Sequence, residues 1–230
     1  PTLEGLIFDQ LSLDYHHVLQ AAAGEAAEAA RDDAMRRSFG KYILVVDGGI
    51  PMGHSAFSTT GGKSGLDLVR SAAAGAALVI ATGSCAAYGG IPAAAPNPTA
   101  SGGAFDALRA LIERGTLTSP IINVPGCPPV PEVMTGVIVY FLTYGSPPPL
   151  DDLRRPLPFF GRTVHDDCPR LPFFNQGLFA KTFDDEAARK GYCLKDLGCK
   201  GPTTFNACTT TKWNQKTSFP MFSGHGCLGC

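Results

Sequence analysis

LVIATGSC, Leu78 to Cys85, decides how the rest of the chain is read. Its first four residues form an unbroken apolar run stopped by Thr82-Gly83, the pattern of a short strand buried on both faces. Two other stretches repeat it: Tyr42 to Val46 (YILVV), stopped by Asp47-Gly-Gly, and Ile121 to Val124 (IINV), stopped by Pro125-Gly126. Between and after them the spacing turns helical, over Ser64 to Ala77 with Ser64 as N-cap, Ala104 to Arg114, and Pro131 to Tyr144. Upstream, Leu6 to Leu13 (LIFDQLSL) reads as a further strand and Asp14 to Arg37 as a long amphipathic helix. Buried strands alternating with helices specify a parallel sheet covered on both faces, a doubly wound α/β domain of the flavodoxin type.

Two cysteines sit where such a sheet binds ligands. Cys85, in GSCAAYGG (Gly83 to Gly90), and Cys127, in PGCPP (Pro125 to Pro129), each lie just past the carboxyl end of a strand. The flanking Gly and Pro residues let backbone approach a bulky inorganic group and aim amides at it. Gly61-Gly-Lys-Ser64 is not a phosphate-binding loop, because Phe57 stands where that motif needs its first Gly. It reads as a loop and helix cap.

From Gly145 the texture changes. Residues 1–150 form the flavodoxin-like domain, and 151–230 a smaller irregular domain rich in Pro, Gly and aromatic residues, with one short helix over Asp184 to Lys190 closed by Gly191. Six of the eight cysteines lie there: Cys168, Cys193, Cys199, Cys208, Cys227 and Cys230. With so little periodic apolar pattern, groups bonded to sulfur must supply the cohesion. Disulfides suit small secreted domains, whereas these cysteines continue upstream into an ordinary α/β core. Structural zinc favours two close ligand pairs, and only one Cys-x-x-Cys and one His-x-x-Cys are present. Iron-sulfur clusters accept thiolates from loops at irregular spacing, and histidine in place of one, so they fit best. Cys227-Leu-Gly-Cys230 ends the chain instead of opening a helix after a strand, so it reads as a ligand pair and not as a thioredoxin-like redox motif.

A formal net charge of −1 favours no nucleic-acid partner, and a charged fraction of 17% leaves surface for a protein partner. The longest apolar-rich stretch, Ala72 to Ala81, is too short to span a bilayer.

With these residues in place, the chain resembles the small, electron-transferring subunit of nickel-iron hydrogenases from about Leu6 to Cys230. The motifs that carry the resemblance are SLDYH (Ser12 to His16), VDGGIPMG (Val46 to Gly53), GSCAAYGGIPAAAPNPT (Gly83 to Thr99) and PGCPP (Pro125 to Pro129), then HDDCPR (His165 to Arg170), GYCLKDLGCKGPTTFNAC (Gly191 to Cys208) and GHGCLGC (Gly224 to Cys230). The resemblance implies three clusters. His165, Cys168, Cys193 and Cys199 match the ligands of a distal 4Fe-4S cluster, and Cys208, Cys227 and Cys230 those of a medial 3Fe-4S cluster. Cys85 and Cys127 match two ligands of a proximal 4Fe-4S cluster, and the other two, a Cys-x-x-Cys pair, have no counterpart in these 230 residues. The expectation is that the gene product extends upstream of Pro1 and carries them. His16, His17, His54 and His225 match no ligand.

The activity implied is oxidation of dihydrogen to two protons and two electrons at a nickel-iron centre on a separate large subunit. This chain supplies no catalytic residue; it passes electrons from proximal to medial to distal cluster and on to an external acceptor such as a cytochrome or membrane carrier. The implied location is the periplasm or the periplasmic face of the membrane. In oxygen-tolerant members a cysteine stands five places after the residue matching Cys85; Gly90 stands there here, which implies a conventional proximal cluster and inactivation by air. An iron-sulfur subunit of a related respiratory complex is the alternative, and it would lack the segment from His165 to Cys230.

Overall fold

The computed structural model describes residues 5–230. The chain divides into two compact units, one reaching Pro129 and including Met134–Pro147, the other comprising Val130–Val133 and Pro148–Cys230.

In the first unit, β1 (Tyr42–Asp47), β2 (Ala76–Thr82) and β3 (Ile121–Val124) pair in parallel in that order, with Val46 opposite Ala81 and Thr82 opposite Val124. Side chains alternate across β2. Val79 and Ala81 join Ile121 in a core with Ala73 of α2 (Gly65–Ala73) and with Ala104, Ala107 and Leu108 of α4 (Ala104–Glu113). Thr82, with Leu78 and Ile80, points the other way, and its hydroxyl lies 2.7 Å from the Met134 sulfur of α5 (Pro131–Tyr144). Helices therefore cover both faces of the sheet, as the doubly wound reading requires.

Local chemistry sets the helix ends. Ser64 Oγ accepts from Asp67 N–H at 3.1 Å and starts α2. The neighbouring glycines serve a hairpin: Thr59–Thr60 pairs with Lys63–Ser64, and Gly61 and Gly62 turn at φ +57° and +76°, as a two-residue turn demands. Helix α2 stops at Ala73, short of the expected Ala77, because Gly75 O accepts from Gly40 N–H at 2.7 Å and Ala76 already pairs with Tyr42.

Two expectations near the start are corrected. Leu6–Gln10 is one π-helical turn and not a strand; the Leu6 carbonyl accepts from Leu11 N–H at 3.0 Å, so it is satisfied locally instead of in a ladder. The long helix begins only at Gly24, giving α1 (Gly24–Arg37). Before it, His16 Nδ1 accepts from the Val18 and Leu19 amides at 3.1 and 3.3 Å, a side-chain turn that competes with helix for those donors.

The second unit consists of short elements. Its helix near residue 186 spans Glu186–Arg189, and the N-cap Asp185 accepts from the amides of Ala188, Lys181 and Thr182. The core there is small: Val164, Phe219, Met221 and Cys227, with Cys168, Cys199, Cys208 and Trp213 packed against it. Cysteines thus fill the role that aliphatic residues fill in the first unit.

Candidate iron-sulfur sites

All eight cysteines are free thiols. His165, Cys168, Cys193 and Cys199 line a single cavity, closed by Val164, Leu171, Leu194 and Met221 and bordered by Arg170. Each of its three thiols meets a backbone amide: Cys168 that of Arg170, Cys193 that of Lys195, and Cys199 that of Cys227, the last at 3.2 Å. Burial pushes the Cys168 and Cys193 thiols up from their ordinary value, and each feels the charge of Cys199. The histidine is held from two sides. Its backbone N–H donates to Gly201 O at 3.2 Å, and its ring meets the Phe174 ring edge-on at 4.6 Å between centroids.

Cys208, Cys227 and Cys230 form the second set. Cys208 opens a single helical turn, Cys208–Thr211, and Asn206 Oδ1 accepts its N–H at 2.9 Å. Burial first, and then the neighbouring charges of Cys227 and Cys230, push its thiol up to about 12. A buried thiol of this kind is suited to a ligand that surrenders its proton to metal. Among the described residues no three His, Cys, Asp or Glu side chains are placed to hold a single metal ion.

Cys85 and Cys127 lie on two loops of the first unit that are tied together. Ser84 N–H donates to Gly126 O at 2.8 Å, and Gly126 N–H donates to Ser84 Oγ at 3.1 Å. Cys85 sits in α3 (Gly83–Tyr88) directly beyond β2 and is half-buried; Cys127 follows β3 and is exposed. Two glycines are required at this edge. Gly126 has φ +154°, and a Cβ on it would lie 2.4 Å from Pro129 Cα; Gly90 has φ +54°, and a Cβ on it would lie 2.6 Å from Cys85 Sγ.

Sequence reasoning does not single out Arg170 or the amide donors of Lys195 and Cys227. Arg170 is visible inside HDDCPR, but nothing local says where a guanidinium will reach. The remaining histidines have structural partners: His54 Nδ1 accepts from Ala56 N–H at 3.1 Å, and His225 stacks on Phe183 at 5.5 Å.

The parallel α/β sheet thus carries two thiols at its carboxyl edge, and the second unit has cysteines packed in its core. Residues 1–141 match the family model of the NADH ubiquinone oxidoreductase 20 kDa subunit, and residues 160–230 match that of the C-terminal region of the NiFe/NiFeSe hydrogenase small subunit. The uptake hydrogenase small subunit of Azotobacter vinelandii is 48% identical over 231 residues, covering 100% of this chain and 62% of that protein. The hydrogenase-1 small chain of Escherichia coli K12 is 46% identical, covering 100% and 60%. The chain thus spans only about three fifths of the length of these curated relatives. A crystal structure of the reduced, active Ni-Fe-Se hydrogenase from Desulfomicrobium baculatum superposes with a TM-score of 0.88 at 32% identity, covering 100% of this chain and 85% of that one. This chain belongs to the small-subunit family of nickel-iron hydrogenases.

Proposed function

We propose that this chain is the electron-relay subunit of a nickel-iron uptake hydrogenase, working with a large subunit that oxidises dihydrogen. The observation that carries the reading is that His165, Cys168, Cys193 and Cys199 line one cavity, while Cys227 and Cys230 are the nearest charges felt by Cys208. His165, Cys168, Cys193 and Cys199 would hold the distal 4Fe-4S cluster, and Cys208, Cys227 and Cys230 the medial 3Fe-4S cluster. Cys85 and Cys127 would hold one side of the proximal 4Fe-4S cluster. Bound there, the clusters supply one-electron carriers in series between the partner's nickel-iron centre and an external acceptor such as a cytochrome or membrane carrier.

The chain's own groups do the rest. Amides of Arg170, Lys195 and Cys227 stabilise sulfur that carries negative charge, and the apolar walls Val164, Leu194 and Met221 exclude water from it. A histidine ligand in place of a fourth thiolate would leave that site less negative. The family-model match over residues 1–141 also fits an iron-sulfur subunit of a respiratory complex, but the match over 160–230 favours the hydrogenase. Among the described residues no helix is long and apolar enough to cross a membrane. A location at the periplasmic face therefore rests on the resemblance.

The test is iron, acid-labile sulfide and electron paramagnetic resonance on the complex purified with its large subunit, alongside hydrogen-dependent dye reduction. The expected result is a 3Fe signal together with 4Fe signals, and dye reduction only when the nickel-bearing partner is present. Hydrogen-dependent reduction by this chain alone, free of nickel, would overturn the proposal.

A further inference from the structure

Arg170 stands at the edge of the cavity that His165 and three thiols line, and it joins three separate stretches of chain. Its Nη1 donates to Tyr192 O at 2.6 Å, the carbonyl directly before Cys193, and its Nε donates to Met221 O at 2.8 Å. Its own amide donates to Cys168. The side chain is half-buried, and both of these acceptors are neutral carbonyls, so the positive charge is spent on no carboxylate there. A guanidinium keeps its charge at every working pH, and its flat fork fixes two directions at once. Aspartates lie nearby in sequence but are engaged elsewhere: Asp167 pairs with Arg162 at 3.1 Å, and Asp166 accepts from Thr163 N–H at 2.9 Å.

Reduction of a cluster held there would add one negative charge to the core that the thiols surround. A fixed, partly desolvated cation beside them favours the reduced form, because the attraction is screened far less than at an open surface. Resting on the ligand reading proposed above, we infer that Arg170 is a positioning residue of the distal site that clamps the Cys168 and Cys193 loops and raises the reduction potential of the cluster they hold. Its two functions are separable. The fork sets the loop geometry, and the charge sets the potential.

The experiment is a redox titration of the assembled heterodimer, followed by electron paramagnetic resonance, in the native protein and in Arg170→Gln, Arg170→Met and Arg170→Lys, with iron content measured on each. The medial signal serves as an internal reference. In the neutral variants the ratio of reduced to oxidised distal cluster at fixed potential should fall about tenfold, equivalent to about 59 mV for one electron, while the medial midpoint stays in place. Arg170→Lys should recover most of that shift, since it restores the charge without the fork. An unchanged distal midpoint at full iron content, or lysine behaving like glutamine, overturns the inference. So does loss of the distal cluster in both neutral variants, which would make the residue merely structural. Cys193→Ser separates the two readings. A distal signal that survives it overturns the ligand assignment and this inference with it, whereas a signal lost there but unshifted in Arg170→Gln overturns the role of Arg170 alone.

Discussion

The backbone amide of Cys227 donates to the sulfur of Cys199 at 3.2 Å, and Lys200 N–H returns to the Cys227 carbonyl at 2.9 Å. Cys199 belongs to the thiol set that includes His165, and Cys227 to the set that includes Cys208. One reciprocal backbone contact therefore joins a ligand of one proposed cluster to a ligand of the next, and a change at either strand should be felt at both.

Gly226 is where that junction is most exposed to test. A Cβ at this position would lie 3.0 Å from Cys199 Cα and 3.1 Å from its Cβ. Gly226→Ala should therefore push the Cys227 strand off Cys199, at a cost of about 1–3 kcal/mol for the overpacking. The expected outcome is lowered iron retention at both sites of the second unit, read by iron analysis and by both resonance signals. Retention of all iron with a native melting curve would show that the strands move apart freely.

Gly90 controls the other site. Its φ of +54° and the 2.6 Å approach of a Cβ to Cys85 Sγ mean that Gly90→Ala must displace the sulfur or the turn. We expect this variant to lose proximal iron while the clusters of the second unit remain. The same crowding bears on the reading of Gly90 as the mark of a conventional proximal cluster. Sustained hydrogen uptake in air by the native complex would refute that reading.

Cys193 is 8% exposed and sits in a unit whose core is built partly of sulfur. Cluster binding there would be folding free energy, because the proposed ligand set has no counterpart in the unfolded chain. Cys193→Ser should remove the distal signal and make residues 148–230 protease-sensitive in the same step. Lost signal with unchanged protease resistance would mean that the apolar core suffices.

Cys208 predicts a pH dependence for the cluster-free chain. Its thiol, pushed up from 9.0 to about 12 by burial, ionises more easily unfolded than folded. The contribution is complete below pH 9.0 and is lost as pH rises toward about 12, so the cluster-free second unit should lose denaturant resistance across that window. Cys208→Ala should flatten the loss. Iron and sulfide loading should show the opposite trend, becoming easier with rising pH, since each thiol must give up a proton to metal. Loading that is indifferent to pH between about 7 and 9 would count against Cys208 as a ligand.

The three parallel strands, most helices and the positions of the thiols were legible in the sequence because each is a local property. An apolar run between turn residues is a buried strand wherever it occurs, Ser64 caps the helix it precedes, and a cysteine just past a strand stands at the ligand edge of the sheet. Leu6–Gln10 and the start of α1 were not legible, since a π-helical turn and a histidine-capped turn outcompeted the apolar spacing through hydrogen bonds that composition does not reveal. Sequence spacing also paired Cys227 with Cys230 but was silent on Cys199. The amide that links Cys227 to Cys199, and the reach of Arg170 to Tyr192 and Met221, join residues 22 to 51 apart along the chain. Contacts at that separation depend on where two irregular loops come to rest, and only the folded chain decides that.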